Sequence, residues 1–546
     1  MPSLSTYREH VEDVDVIVIG AGINGLATAR ESAALGMSVL LIDQDDIGSR
    51  TTAISTRLIH GGLKYLERME LHLVHESIRE RDILLAQAPH LVHRYPMLIP
   101  FAKKQSRPGW LLACGLMVFN ALSFTSKLPL SSVVLPRRLE RGWPSVAESG
   151  VKWGGLFQDA NVPLTERLTF ELAGDVEQRG GTVLTHAPVE SLLREGDRIR
   201  GVRYRDRVDG ALKTVRARAV VNAAGPWVDA VLDLLGEHER KIGPTKGSHC
   251  VVDPFPGAPE TCIFFESPVD HRPMFVLPWQ GRYMIGTTDL PYEGSIDEMS
   301  IDSDEIAYLL GAVNDLIPRA RLEPQDVLWS YSGVRPLPFV GELDDPSKIS
   351  RDHQLIAHDG AESGLFTIIG GKLTTHRALG EQVARAVARA LGRGKLPSPT
   401  RSARLPGAPA GSWPEYRARQ IRDSGLEETI AARIVNTYGV ASAEVFAIVR
   451  AEPWLGEILD EDTSAIAAEV IHARRNEGAH TLEDVLLRRT LIGTNFDVGL
   501  SAAPRAADIL VRAGEWTKEE ADAQVENYRQ AVRRFTPRAL AQSSSE

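Results

Sequence analysis

The stretch DVIVIGAGINGLATARESAALGMSVLLIDQDD, residues 15–46, constrains the fold more than any other part of the chain. Residues 16–19 form a short apolar run of the kind that makes a buried parallel strand. Gly20, Gly22 and Gly25 follow at GxGxxG spacing; then come a helix-permissive run, Gly36 as a stop, and a second apolar run closed by Asp43. Each part has a physical task. The first glycine makes a tight turn, the second lets backbone approach a pyrophosphate, and the third lets helix and strand pack closely. The helix N-terminus stabilises phosphate charge, and Asp43 is placed to accept from a ribose. Strand, glycines, helix, second strand and terminal acid all fall in register, which predicts a dinucleotide site.

The motif alone does not separate a nicotinamide from a flavin dinucleotide. After Asp43 the chain does not enter another strand–helix repeat but the hydroxyl-rich SRTTAISTRLIHGGLKYLE. Its adjacent Gly61 and Gly62 would each weaken a helix by roughly 1 kcal/mol. They therefore mark a turn, or bare backbone against a flat ligand. Two later strand-to-helix junctions also carry small residues, one at 222–225 and one at Gly370, Gly371 and Lys372. Taken alone, the first is equally a helix cap. The second puts a helix N-terminus where negative charge grows on a reduced flavin ring. Together they point to FAD, with its isoalloxazine ring lying on the backbone of Gly61 and Gly62.

At 546 residues the chain is too long for one core, so two or three domains are expected. Its net charge of -10 argues against a nucleic-acid partner. Three cysteines, none in a CxxC pair, exclude an iron–sulfur or zinc-ribbon module and suit a reducing compartment. The polar, acidic N-terminus does not read as a signal peptide. One uncharged apolar run, residues 109–124, is shorter than the ~20 residues a spanning helix needs. It is either a buried helix or a segment that dips into one leaflet. HLVH occurs twice, at 72–75 and 90–93, without a third ligand in view, so no metal is expected.

Several motifs occur in one order: DVIVIGAGINGLATA, STRLIHGGLKYLE, PTKGSHCVV, MIGTTD, YSGVRPLP, IIGGKLTTHRALGEQ and AEVIHARRNEGAHTLEDVLLRRT. Together they resemble the FAD-dependent glycerol-3-phosphate dehydrogenases of the D-amino-acid-oxidase-like superfamily, over about residues 15–535. Lys64 stands where that family usually has arginine, His376 where it commonly has tyrosine, and residues 406–442 find no match. The resemblance implies an α/β plus α chain: a Rossmann-like FAD domain built from separated segments, a mixed-sheet substrate domain and a helical C-terminal domain. It implies oxidation of sn-glycerol 3-phosphate to dihydroxyacetone phosphate with noncovalent FAD. Electrons would pass to quinone from a peripheral position on the inner face of the cytoplasmic membrane. Whether the chain forms a homodimer stays open. An oxidase using oxygen and an amine or amino-acid oxidase are the competing activities.

Hydride removal from a carbinol needs a base for the hydroxyl proton and cations for the phosphate. His249 matches an active-site histidine of the family and is the candidate base, with His60 second. Arg335, between Gly333 and Pro336 in a stiff turn, is a candidate to orient substrate. Lys64, Tyr65 and Lys372 would complete the anion pocket. The resemblance extends the cofactor site over Gly20, Gly22, Asn24, Gly25, Asp43, Thr51, Thr52, Ser55, Leu58, Gly61, Gly62, Val189, Ala223, Gly225, Gly371, Lys372 and Leu373. The expected boundaries are 14–83, 165–243 and 338–395 for the FAD domain and 84–164 and 244–337 for the substrate domain. A Pro/Ser/Gly-rich linker at 396–412, a helical domain at 413–536 and a disordered tail at 537–546 follow. Thr481 to Asp484 resembles a capping box.

Overall fold

The structure, a computed structural model, describes residues 13–63, 66, 69–102, 108–341, 352–394 and 397–543. Lys64 and Tyr65 lie outside the described residues. The first of two large sheets has the strand order Gln354–Ala357, Leu365–Ile369, Leu212–Asn222, Val14–Ile19, Val39–Ile42, Thr182–Leu184. A hairpin, Val189–Glu195 and Arg198–Arg205, extends it from Leu212–Asn222. The pairings from Leu365–Ile369 through to Thr182–Leu184 are parallel, and Gln354–Ala357 runs antiparallel to Leu365–Ile369. Both faces are covered, which is why Val16, Ile17, Val18, Leu40, Leu41 and Ile42 make continuous apolar strands rather than alternating ones. Helix Ile23–Ala34 packs between His376–Ala390 and Thr165–Gln178.

Register brings the functional turns together. Ile19 pairs with both Asn222 and Ile42, and Asn222 pairs with Thr367. Gly20, Ala223, Asp43 and Gly370 therefore all leave the same carboxyl edge, where open α/β sheets bind ligands.

The second sheet is mixed and has ten strands, ordered Leu290–Pro291, Ile242–Val252, Arg282–Gly286, Pro273–Trp279, Cys262–Glu266, His93–Pro100, Gly154–Asn161, Leu58–Ile59. Val327–Pro338 runs along Ile242–Val252, and Ser132–Val134 along Gly154–Asn161. The helical C-terminal region shares a core with this sheet, where Met97, Trp279 and Trp329 join a cluster with Ile434, Tyr438 and Val470.

Four details depart from the sequence expectations. Leu58–Ile59 falls in the expected FAD segment yet pairs with Gly154–Asn161 of the second sheet. The expected linker is a packed strap: Gln87 Nε2 donates to the Thr400 carbonyl at 2.5 Å, Thr400 donates to Glu31, Leu405 is buried and the Gly407 N–H donates to Glu171. Its prolines and glycines shape a fixed path rather than a loose one. The expected disordered tail carries a helix, Arg538–Ser543. The 222–225 turn opens only a single 3₁₀ turn and the six-residue helix Val228–Asp233. The capping box is present, with the Asp484 N–H on Thr481 Oγ1 at 3.1 Å and the Thr481 N–H on Asp484 Oδ2 at 2.9 Å.

Candidate active site

A cleft of about 480 Å³ lies between the carboxyl edge of the first sheet and the strands Ile242–Val252 and Val327–Pro338 of the second. Gly20, Gly22 and Asn24 line it from the glycine turn, and Asp43, Thr51, Thr52, Ser55 and Leu58 from the following loop. Val189, Ala223, Gly225, Gly371, Lys372 and Leu373 line it from later segments.

The residues fit a dinucleotide. Gly20 has φ +109°, and a Cβ there would stand 2.5 Å from the Ala223 carbonyl oxygen, so only glycine makes this turn. Gly25 sits behind the cleft, where a Cβ would overlap the Gly20 carbonyl. It closes the helix onto the strand. Thr52 Oγ1 accepts the Ile23 N–H at 3.0 Å, tying the hydroxyl-rich loop to the helix N-terminus. Asp43 Oδ2 accepts the Ala21 N–H at 2.5 Å and Oδ1 the Asp45 N–H at 2.8 Å. Burial pushes its carboxyl up to about 6, and its remaining lone pairs suit ribose hydroxyls. Opposite, a Cβ on Gly225 would meet nothing within 4 Å, leaving backbone open to the cleft.

Gly61 and Gly62 correct the sequence expectation, because neither lines the cleft. The Gly61 N–H donates to both oxygens of Asp159, at 2.9 and 2.8 Å, and a Cβ would lie 2.8 Å from the Phe119 ring. A flat ring does lie against this backbone, but it belongs to Phe119. His60 lines the cleft, and its backbone N–H donates to Thr374 Oγ1 at 3.1 Å.

The opposite wall carries the polar chemistry. On Ile242–Val252, His249 pairs with Gly286 on one side and Tyr331 on the other. A Cβ at Gly286 would come within 2.1 Å of the imidazole, so the missing side chain is the space the ring occupies. Tyr331 stacks on it, with centroids 4.8 Å apart and planes at 20°. Nε2 lies 3.0 Å from Thr56 Oγ1, while Nδ1 is buried with no hydrogen-bond partner. Burial, with Arg335 and Arg57 as nearby cations, lowers His249 to about 3. Its ring is thus neutral and, with both cations beside it, a weak base.

Arg335 is fixed at three points. Nη1 donates to Asp289 Oδ1 at 3.0 Å, and Nη2 donates to Thr287 Oγ1 at 2.9 Å and the Thr288 carbonyl at 3.2 Å. A Cβ at Gly247 would lie 2.3 Å from its guanidinium, so a second glycine makes room for a functional side chain. Thr51 Oγ1 donates to the Val334 carbonyl at 2.9 Å, joining the cofactor loop to the strand that bears Arg335. The sequence did not single out Thr56, Tyr331, Gly286, Thr287 or Asp289, although YSGVRPLP and MIGTTD contain all but the first.

Residues 15–385 match the family described as FAD dependent oxidoreductase, and 398–521 the family described as C-terminal domain of alpha-glycerophosphate oxidase. A glycerol-3-phosphate dehydrogenase of Synechocystis sp. is 41% identical over 529 residues, covering 94% of this chain and 95% of its own. A D-erythritol 1-phosphate dehydrogenase of Brucella abortus is 35% identical over 492 residues, covering 88% of this chain and 94% of its own. The glycerol-3-phosphate dehydrogenase of Bacillus halodurans, solved with FAD, superposes with a TM-score of 0.78 at 25% identity, covering 96% of this chain and 95% of its own. The expected fold class and cofactor, FAD, agree with these findings. The chain belongs to the FAD-dependent glycerol-3-phosphate dehydrogenases.

Proposed function

We propose that the protein oxidises the secondary alcohol of sn-glycerol 3-phosphate to dihydroxyacetone phosphate and passes the electrons to membrane quinone. One observation carries this: neutral His249 and the anchored cation Arg335 stand on paired strands and open into the same cleft as the glycine turn and Asp43. Bound FAD supplies the acceptor for the carbinol hydride. His249 takes the hydroxyl proton as the C=O forms, with Thr56 and Tyr331 fixing its ring. Arg335 and Lys372 meet the phosphate or the substrate oxygens; Lys64 and Tyr65, which lie outside the described residues, are candidates for the same task from the sequence alone. His60 is the second candidate base. Asp289 keeps Arg335 in place through its contact with Nη1.

Quinone lives in the bilayer, and no helix of the described residues is long and apolar enough to cross one. The helix Gly109–Leu122 buries only Leu116 and Phe119 and turns Trp110, Leu111, Met117 and Val118 outward. In the segment that follows, Phe124, Leu130, Val133 and Leu135 are exposed as well, as are Lys127, Arg137 and Arg138. Apolar surface edged by cations suits insertion into one leaflet next to anionic headgroups. We place the protein there, on the cytoplasmic face.

The test uses liposome-bound enzyme with glycerol 3-phosphate and a short-chain quinone. One quinol should form per dihydroxyacetone phosphate, with no hydrogen peroxide in air. Peroxide in place of quinol would make the protein an oxidase. Faster turnover of D-erythritol 1-phosphate would move the substrate to the longer polyol.

A further inference from the structure

The C-terminal domain meets the cofactor edge at a buried carboxylate, Asp46. Residues 43–48 carry Asp43 into the cleft and then turn back onto the glycine turn, where the Gly48 N–H donates to the Ala21 carbonyl at 3.0 Å. On the far side of this loop, Asp46 is 1% exposed and does not line the cleft. Two consecutive arginines of the C-terminal domain hold it. Arg488 Nε donates to Asp46 Oδ2 at 2.5 Å; Arg489 donates to the same oxygen and, through Nη2, to Oδ1 at 3.0 Å.

Both arginines are themselves immobilised. Arg488 donates to Asp484 Oδ1 at 2.5 Å and Glu483 Oε1 at 3.1 Å. Arg489 donates to the Glu477 carbonyl at 2.9 Å and lies 4.4 Å from the centre of the Phe170 ring. The other Asp484 oxygen takes His186 Nε2 at 2.9 Å, and the His186 N–H holds the Asp45 carbonyl at 2.9 Å. Asp46, His186 and Asp484 stand close enough to share a metal ion. Arg488 already meets both carboxylates, however, and a cation there would face two guanidinium groups.

We propose that Arg488 and Arg489 are positioning residues for FAD: through Asp46 they fix the loop that bears Asp43 and buttresses the glycine turn. Planar guanidinium forks set both the place and the angle of a carboxylate, which a flexible ammonium would not. A loop ordered before the cofactor arrives does not have to be ordered by it, so the cofactor is held more tightly. Coupling of this kind is reciprocal, so FAD in turn stabilises the arginine segment. The inference assumes FAD but neither substrate nor acceptor, so it and the proposed function can fail separately.

The test follows FAD release by the fluorescence of free flavin, together with the thermal midpoints of holoprotein and apoprotein. Asp46→Asn and Arg489→Lys should each speed release on the order of tenfold and narrow the gap between the two midpoints. Asp462→Asn is the control. It removes a different interdomain pair, Arg282 Nη2 to Asp462 Oδ2 at 2.6 Å, and should lower both midpoints together at an unchanged release rate. In the wild type, amide exchange across 484–489 should quicken when FAD is removed. Variants that behave like Asp462→Asn overturn the proposal, as does exchange at 484–489 that is indifferent to FAD. If neither variant folds, the wild-type exchange result decides.

Discussion

His249 carries the heaviest chemical demand and is buried beside two cations. Burial and two cations hold it at about 3, against 6.5 for an unperturbed imidazole. The unfolded chain therefore binds a proton at this residue as pH falls through 6.5, whereas the folded chain does not. The stability it contributes is complete above that pH and is lost progressively below it. His249→Asn should accordingly show a shallower fall in apoprotein thermal midpoint between about pH 7 and 5 than the wild type. In the proposed reaction a phosphate dianion beside Arg335 would offset one of the cations that depress the imidazole. His249→Ala should slow flavin reduction more than it weakens binding, with partial recovery at high pH, and stopped-flow traces separate the two effects. Arg335→Ala should cost about 3 kcal/mol or more in kcat/KM with glycerol 3-phosphate, as a charge-assisted contact in a partly buried site is lost. Gly286→Ala should retain FAD but lose turnover, because its methyl group would occupy the imidazole's place, within 2.1 Å; flavin content and activity measured on one preparation check this.

The glycines show what sequence can and cannot say about such a site. Gly20, Gly22 and Gly25 were legible because their tasks lie within one local strand–turn–helix. Gly61 was legible as backbone that must stay bare, but not the ring it accommodates. A cofactor and Phe119, 58 positions along the chain, leave the same mark in the sequence. Gly247 and Gly286 carry no signal of their own, since Arg335 and His249 reach them only across sheet pairings.

Among elements, the helix Gly109–Leu122 resolves an ambiguity of sequence. A run apolar on all sides fits a buried core or a lipid surface equally well, and only the fold reveals which face has neighbours. Leu116 and Phe119 pack inward, Phe119 with Phe157 at 4.7 Å between centroids. Trp110, by contrast, is 69% exposed and Phe124 83%. Trp110→Glu with Leu111→Glu should therefore leave folding, flavin content and dye-linked activity intact while abolishing co-sedimentation with anionic liposomes. Loss of flavin in that variant would assign the helix to the core. The 396–412 segment teaches the converse. Proline and glycine mark a chain without regular structure, and whether such a chain is loose depends on partners elsewhere, here Gln87, Glu31 and Glu171.

Across the whole molecule, the cleft is composite. The first sheet supplies the dinucleotide edge and the second the imidazole and guanidinium, while the C-terminal domain steadies the loop between them. The order of motifs along the chain made the fold class readable, but their convergence depends on register: Ile19 beside Asn222 and Ile42, and Thr245 beside Arg335. In the proposed reaction this cleft delivers the carbinol hydride of sn-glycerol 3-phosphate to FAD. Anaerobic stopped-flow mixing of the yellow holoprotein with a panel of polyols and their phosphates tests it most directly. The flavin band should bleach rapidly and completely with sn-glycerol 3-phosphate and little with its enantiomer or with glycerol, and Arg335→Ala should bleach about a hundredfold or more slowly. Bleaching by glycerol or an amino acid at the same rate, or none by sn-glycerol 3-phosphate, would contradict it.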